Sequence, residues 1–249
     1  WRWVSEGQGE FVVSETETAE RGSRITLTLR EGQDEFLEAH RLRHIIKTYS
    51  DHIAIPVMLK DGDAEETANS ASAIWTRSKN EITAEQYKEF YHHVAHAFDE
   101  PWLTLHYKAE GALEYTGLLY IPATRPFDIF HPERKQHVKL YVKRVFITDH
   151  CDEREMLQHN PMLAKIKAGL VKRVLSELKK KSEAEDGDYG TFWDSFGAVL
   201  KEGLYEDFER KTDVLELCRF RTTKSDTPIT LATYVERMKE GQDKIYYIT

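Results

Sequence analysis

Between residues 161 and 181 the apolar side chains Leu163, Ile166, Leu170, Val174 and Leu178 recur at spacings of three and four, with Lys165, Lys167, Lys172, Arg173 and Lys179 between them. That period belongs to an α-helix with one buried stripe and one wet face, so the stretch demands an apolar layer to pack against. Asn160-Pro161 suits its start, because Asn caps and Pro at the first helical position has no N–H to leave unpaired. Just ahead lies Arg154-Glu155-Met156-Leu157-Gln158. An Arg on a turn before a helix start is badly placed for the positive end of the helix dipole but well placed to meet an anion. The plainer reading is a solvated arginine on a surface turn.

The rest of the chain supplies the partner layer. With 249 residues and 40% hydrophobic content it can bury a proper core in one large or two small domains. Charged residues make up 31% and the formal net charge is −8, which argues against a dedicated nucleic-acid binder. No apolar run reaches the length of a bilayer span, and no secretory signal pattern is present. Cys151 and Cys218 have no metal-ligand spacing and suggest a reducing compartment, so a cytoplasmic protein is expected. The sequence opens on Trp1 and closes on an apolar strand-like run at 244–249, which reads as a piece of something longer.

Residues 1–59 read as sheet, helix and sheet. Ile25, Leu27 and Leu29 alternate with Thr and Arg, and Leu42, Ile45, Ile46 and Tyr49 carry the helical period. Gly7-x-Gly9 lacks the helix that would follow a phosphate loop and is expected to be a bend between strands. Residues 60–72 are small, polar and acidic, the composition of a flexible linker. A capping box at Thr83 and Gln86 then opens a helix over 84–97, followed by a hairpin of strands 102–109 and 113–121. A third strand is expected over 137–148, a second long helix over 187–202 and a short one over 231–239. The order is α+β, with a largely antiparallel sheet covered by helices.

Several of these stretches resemble the Hsp90 family of chaperones, in its bacterial branch. Ser5-x-Gly-x-Gly-x-Phe11, Arg21-Gly-Ser-Arg-Ile-Thr-Leu-Thr-Leu29 and Tyr49-Ser-Asp-His-Ile53 resemble the last strands and final helix of its nucleotide-binding domain. Trp75-Thr-Arg77, Tyr87-Lys-Glu-Phe-Tyr91, Leu119-Tyr-Ile-Pro122, Pro126-Phe-Asp128, Lys139-Leu-Tyr-Val-Lys-Arg-Val-Phe-Ile147 and Ile245-Tyr-Tyr-Ile-Thr249 resemble its middle domain, and Arg154-Glu-Met-Leu-Gln158 its catalytic loop. The set is colinear over nearly the whole chain. There is one departure: between Glu153 and Arg154 the family carries a further segment ending in Leu-Asn-x-Ser, which this sequence lacks.

The resemblance implies the terminal part of a GHKL-type ATPase domain (1–59), a charged linker (60–72) and a middle domain of the ribosomal protein S5 domain 2-like kind, incomplete at its C-terminal end (73–249). It implies a catalytic role for Arg154 at the γ-phosphate of ATP, with Gln158 organising the same site and Phe146 packing beneath the loop; strand core is the simpler role for Phe146, and the two are compatible. Ser23 stands where the family usually has a Thr near the adenine. ATP and Mg²⁺ would be bound mainly by residues that lie upstream in the family and are absent here, so this chain alone is expected to be inactive. Implied partners are unfolded or partly folded clients, a second copy through a C-terminal domain not present here, and Hsp70-system cochaperones, with neither nucleic acid nor membrane.

Two other classes remain. One is a client- or cochaperone-binding module with an idle Arg154; the other is an ATPase of the gyrase B or mismatch-repair type, which would use a Lys at the phosphate and need a DNA-facing basic surface. Further candidates have plain alternatives. His92, His93 and His96 include an i, i+4 pair without a third ligand, and 149–153 is more simply a solvated loop. The basic residues Arg134, Lys135, Lys139, Lys143 and Arg144 fall partly on the wet face of an alternating strand. Phe98 and Trp102 offer a client-binding patch, with core burial expected for at least one of them.

Overall fold

The computed structural model describes residues 1–17, 21–131, 138–149, 161–184 and 187–248, and its Cα framework separates into two compact units, Trp1–His44 and Ile45–Thr249. In the first, β1 (Arg2–Val4) and β2 (Val12–Ser14) pair antiparallel with Trp3 opposite Val13. Gly7 and Gly9 lie between them at φ values of 77° and 91°, so the glycine pair makes a bend between strands. The alternating run 24–30 finds no strand partner among the described residues, and Ile25 and Leu27 stay exposed. Alternation provides a face to bury, but a strand also needs a neighbour for its backbone groups. The final helix of this region is α1 (Ala39–Tyr49), which continues into the second unit.

Next comes a hairpin of β3 (Met58–Asp61) and β4 (Ala64–Thr67), turning at Gly62. It falls across 60–72, where composition suggests a flexible linker. What orders this polar stretch is hydrogen bonding rather than apolar burial. The buried Asn69 amide accepts the Val57 N–H through Oδ1 at 2.8 Å and donates through Nδ2 to the Ser50 and Ile55 carbonyls at 3.3 and 3.1 Å.

The helix α2 (Ala84–Ala95) opens on the full capping box: Thr83 Oγ1 accepts the Gln86 N–H, and Gln86 Oε1 accepts the Thr83 N–H. A long ribbon of β5 (Pro101–Ala109) and β6 (Tyr115–Pro122) follows, in register Leu105↔Leu119. The alternating stretch expected as one strand over 137–148 is instead a hairpin, β7 (Leu140–Val142) and β8 (Val145–Thr148). Lys143 and Arg144 turn it with φ values of 49° and 70°. Two successive left-handed residues make the tight turn that matches strand twist, but Asn and Gly are its usual occupants, so the sequence reads as uninterrupted alternation.

After these come α3 (Pro161–Glu183), α4 (Asp188–Glu206), α5 (Lys211–Leu217), the pair β9 (Phe220–Thr222) and β10 (Ser225–Ile229), and α6 (Leu231–Glu236). All five strand pairs among the described residues are antiparallel, yet each is a separate two-stranded ribbon rather than part of one continuous sheet. Residues 244–248 form no strand, and Tyr246, Tyr247 and Ile248 are exposed. The mixed α/β composition and the antiparallel pairing agree with the sequence; a single covered sheet does not.

The C-terminal part of the apolar stripe of α3, Val174 and Leu178, finds its layer. Leu178, Tyr189, Phe192 and Leu217 make the buried core, with Val174, Leu175, Phe196 and Leu200 against it. Trp102 of β5 joins by stacking on Phe192 at 4.7 Å, and its indole N–H donates to Asp188 Oδ1 at 2.7 Å, while Lys181 reaches Asp188 Oδ2 at 2.9 Å. Tyr189 donates its hydroxyl to the Leu217 carbonyl at 2.8 Å, so its polar tip is satisfied inside the core; burial raises its pKa to about 12. Trp102 thus ties the ribbon to the helices. Trp102→Ala is expected to lower unfolding free energy by about 3–5 kcal/mol in urea titrations, and Trp102→Phe, which keeps the stack and loses one hydrogen bond, by about 1 kcal/mol. Equal losses for the two would mean that the ring contributes nothing.

Candidate functional site

Phe146 is the one sequence-predicted site residue that the structure sets in a built environment. It lies on β8 between Tyr49 at the end of α1, 5.8 Å away, and Tyr141 on β7, 5.7 Å away, both edge-on. Tyr141 in turn packs against Trp75 at 4.8 Å and His52 at 5.5 Å. His52 stands edge-on to Trp75 at 4.7 Å and lies 5.7 Å from Phe90. The β7–β8 hairpin therefore rests on a continuous aromatic seat. Polar bonds hold it there too: Lys139 Nζ donates to the Val94 carbonyl of α2 at 3.2 Å, and Arg144 donates to Thr76 Oγ1 at 3.2 Å. These two members of the expected basic patch are thus anchors of the hairpin.

Beneath the seat lies a buried carboxylate. Asp51 Oδ1 accepts the Ser70 N–H at 2.8 Å and Lys47 Nζ at 3.1 Å, and Oδ2 meets His93 Nε2 at 2.9 Å. The Asp51 carbonyl accepts the Ser70 hydroxyl and the Ala71 N–H, both at 2.9 Å. Only 3% of the Asp51 side chain is exposed, against 51% of His93. Burial by itself would raise the Asp51 carboxyl, but the Ser70 amide, His93 and Lys47 together outweigh it and hold the group below its ordinary value. His52 is shifted downward, chiefly by burial, against the bond of its Nδ1 to the Ser72 carbonyl at 2.8 Å and the nearby Asp51 charge. A shallow cleft of about 270 Å³ opens here, lined in part by His52, Ser70, Phe90 and His93.

The other candidates separate. Arg154 and Gln158 lie outside the described residues, as do Arg134, Lys135 and most of 149–153. Ser23 is exposed in the first unit, away from any strand. His92 Nε2 engages the Asp99 carbonyl at 2.8 Å, His93 engages Asp51, and His96 is the left-handed residue ending α2, so the three imidazoles serve different ends. Phe98 is fully exposed while Trp102 enters the core. The exposure of Phe98 is held in place by its neighbour: Asp99 accepts the Tyr91 hydroxyl at 2.7 Å and the Thr124 N–H at 2.9 Å. Phe127, just past the same strand end, is also fully exposed.

The Hsp90 protein profile matches residues 60–153 and 153–249. The chain belongs to the Hsp90 family. It is 67% identical over 273 aligned residues to the chaperone protein HtpG of Paramagnetospirillum magneticum and 56% identical over 273 to that of Rhodospirillum rubrum; each match takes in 100% of this chain and 44% of the relative. The chain therefore spans less than half the length of these curated relatives. Both alignments are longer than its 249 residues, and the profile match divides at residue 153, where the sequence lacks the expected segment. Among solved structures, the middle domain of a Plasmodium falciparum heat shock protein matches with a TM-score of 0.64 and 31% identity, covering 70% of this chain and 78% of that one. The chain is thus similar over most of its length to an Hsp90 middle domain. No helix among the described residues is long and apolar enough to cross a membrane.

Of this site, the sequence marked Phe146 but not Asp51, His52, Asn69, Ser70 or Tyr141. The available signal was an Asp-His pair just after a helix and an Asn-Ser-Ala run twenty residues on, neither of which names its partner. The two downward shifts have the same sign in their effect on stability. Acidification protonates the unfolded chain first, so the unfolding free energy should fall below about pH 6.5 as unfolded His52 takes a proton that the buried ring resists. The contribution of Asp51 is full above about pH 4 and is lost as pH falls through its folded-state value. Urea unfolding across this range should show both declines, and Asp51→Asn should shrink the lower one, to which Asp99 and Asp188 also contribute. An unchanged acid limb in Asp51→Asn would mean that the carboxylate is not held in its charged form.

Proposed function

We propose that the chain is part of an ATP-dependent molecular chaperone that assists the folding of client proteins, and that its middle region supplies Arg154 to complete a split ATPase site. The observation that carries this reading is Phe146. In an Hsp90-family chain, the aromatic that resembles the residue beneath the catalytic loop is clamped between Tyr49 and Tyr141, on the strand that leads toward Arg154 and Gln158. In this reading residues 1–59 close a GHKL-type nucleotide-binding domain, 60–72 corresponds to the family's charged linker, and 73–249 is an S5 domain 2-like middle domain.

Ser23 is exposed and alone, and no cluster of three metal-ligating side chains occurs among the described residues. In this reading nucleotide and Mg²⁺ are held mainly by residues that precede this region in the family, and the isolated chain is expected not to turn over ATP. The exposed Phe98 and Phe127, displayed from a loop pinned by Asp99, suit contact with apolar segments of client proteins. A second copy joined through a C-terminal domain, Hsp70-system cochaperones and a cytoplasmic setting complete the proposal.

Charge builds on the γ-phosphate region as the phosphoryl group transfers, so an Arg delivered from another domain stabilises the transition state more than bound ATP. In the intact protein, Arg154→Ala is expected to lower kcat by about 10³-fold or less, domain closure being able to limit turnover, with ATP affinity nearly unchanged. Arg154→Lys should recover only part of the rate, since a point charge lacks the planar fork, and Gln158→Ala should show a smaller loss of the same kind. ATP affinity and steady-state hydrolysis are measured on the same samples. Full rate in Arg154→Ala would favour a binding module with an idle Arg; a rate loss matched by lost ATP binding would place Arg154 in ground-state binding instead.

A further inference from the structure

The buried Asp51 has more partners than its local fold requires. Residues 50–57 and 68–71 are already joined without its carboxylate, by the Asn69 amide, by the Ala68 N–H to the Val57 carbonyl at 2.8 Å, and by the bonds of the Asp51 carbonyl to Ser70 and Ala71. Besides one more bond to that segment, from the Ser70 N–H, the carboxylate adds links to two helices: Lys47 on α1, four residues back, and His93 on α2. The residue after it, His52, is the centre of the aromatic seat, touching Trp75, Phe90 and Tyr141. Tyr141 meets Phe146, and Phe146 meets Tyr49 at the last turn of the same α1 that supplies Lys47. The contacts close into a ring: α1, Asp51, His52, Tyr141, Phe146 and back to α1, with α2 fixed to it through His93.

We infer that the Asp51–His93 pair is a positioning element for the proposed ATPase: by fixing α2 and the His52 backbone, it sets the height of the β7–β8 hairpin against α1, and thereby where the chain departs toward Arg154. This inference rests on the catalytic role proposed for Arg154. Neither Asp51 nor His93 touches the nucleotide in this account; both act through Tyr141 and Phe146. The pair suits the task because it joins the turn that follows α1 to α2, and the carboxylate is excluded from solvent. The link is therefore directional and short, whereas a surface ion pair would be slack and screened.

The test uses the full-length chaperone. His93 is half exposed, so His93→Ala should fold, which a melting curve checks; Asp51→Asn is the companion variant. Either is expected to lower kcat about ten- to a hundredfold, as a displaced catalytic group does, with ATP affinity held within about twofold. Because both remove one contact, the double variant should be no slower than the slower single variant. His93→Gln, whose amide N–H₂ can still donate to the Asp51 carboxylate, should restore most of the rate, which a general loss of stability would not allow. Parental kcat in His93→Ala, additive losses in the double variant, or loss of ATP binding in step with rate would each overturn the inference. Arg154→Ala is measured alongside: if it keeps full rate, the proposed ATPase role itself fails, whereas a slow Arg154→Ala beside a fast His93→Ala sinks only the positioning role.

Discussion

The second unit depends on a charge that has been taken out of water. A buried carboxylate is costly unless its lone pairs are filled, and Asp51 meets that condition with donors from three places: the Ser70 amide, Lys47 of α1 and His93 of α2. Lys47 lies one helical turn back in the chain, but Ser70 and His93 are 19 and 42 residues away, so satisfying one side chain ties α2 and the 68–71 segment to the end of α1. Removing a donor would leave charge buried without a partner, a larger loss than the pair's own net contribution. This asymmetry makes the arrangement specific, since alternatives that separate the elements strand the carboxylate.

Two kinds of order coexist around that point. Around Leu178 and Phe192 the helices α3, α4 and α5 pack by apolar burial, which tolerates adjustment and is weakly directional. Around His52 the order comes from aromatic edges and hydrogen bonds with fixed geometry. The β7–β8 hairpin needs the second kind. A two-stranded ribbon so short is not stable alone, and its turn places Lys143 and Arg144 in left-handed conformations that cost of order 1–3 kcal/mol each. External contacts offset that strain: Arg144 to Thr76, Lys139 to the Val94 carbonyl, and Tyr141 on Trp75.

How much of this was legible follows from what sequence patterns encode. The helices were readable because 3.6-residue periodicity and the Thr83–Gln86 box are local signals, and α1 to α4 lie where those signals put them. The β5–β6 hairpin was readable for the same reason. By contrast, whether an alternating run becomes a strand depends on a neighbour it cannot specify: 24–30 and 244–248 have the pattern and no strand partner among the described residues, while 140–148 has a partner in itself through a turn lacking the usual Asn or Gly. In the polar stretch 60–72 the β3–β4 hairpin was not legible, because composition counts apolar burial and misses what Asn69 and Ser70 bond to. Of the candidate site, the family resemblance pointed to Phe146, while Arg154 lies outside the described residues, and nothing local tied Asp51 to His93 across 42 residues of chain.

The same logic accounts for the exposed aromatic at the far end of α2. Phe98 follows a left-handed residue at His96 and precedes Asp99, whose two carboxylate oxygens are taken by Tyr91 and Thr124. Burial alone would raise the Asp99 carboxyl, yet the Thr124 amide and the Tyr91 hydroxyl bring it below its ordinary value, so these bonds favour its charged form. The backbone at Phe98 is therefore fixed by its neighbour's polar bonds, and the ring is relieved of any part in packing. A ring displayed from a fixed backbone gives up less conformational entropy when it meets an apolar partner than one on a loose loop. Asp51 does for His52 what Asp99 does for Phe98: a satisfied carboxylate holds the backbone, and the adjacent aromatic is placed where it is used, inward against the hairpin in one case and outward toward solvent in the other.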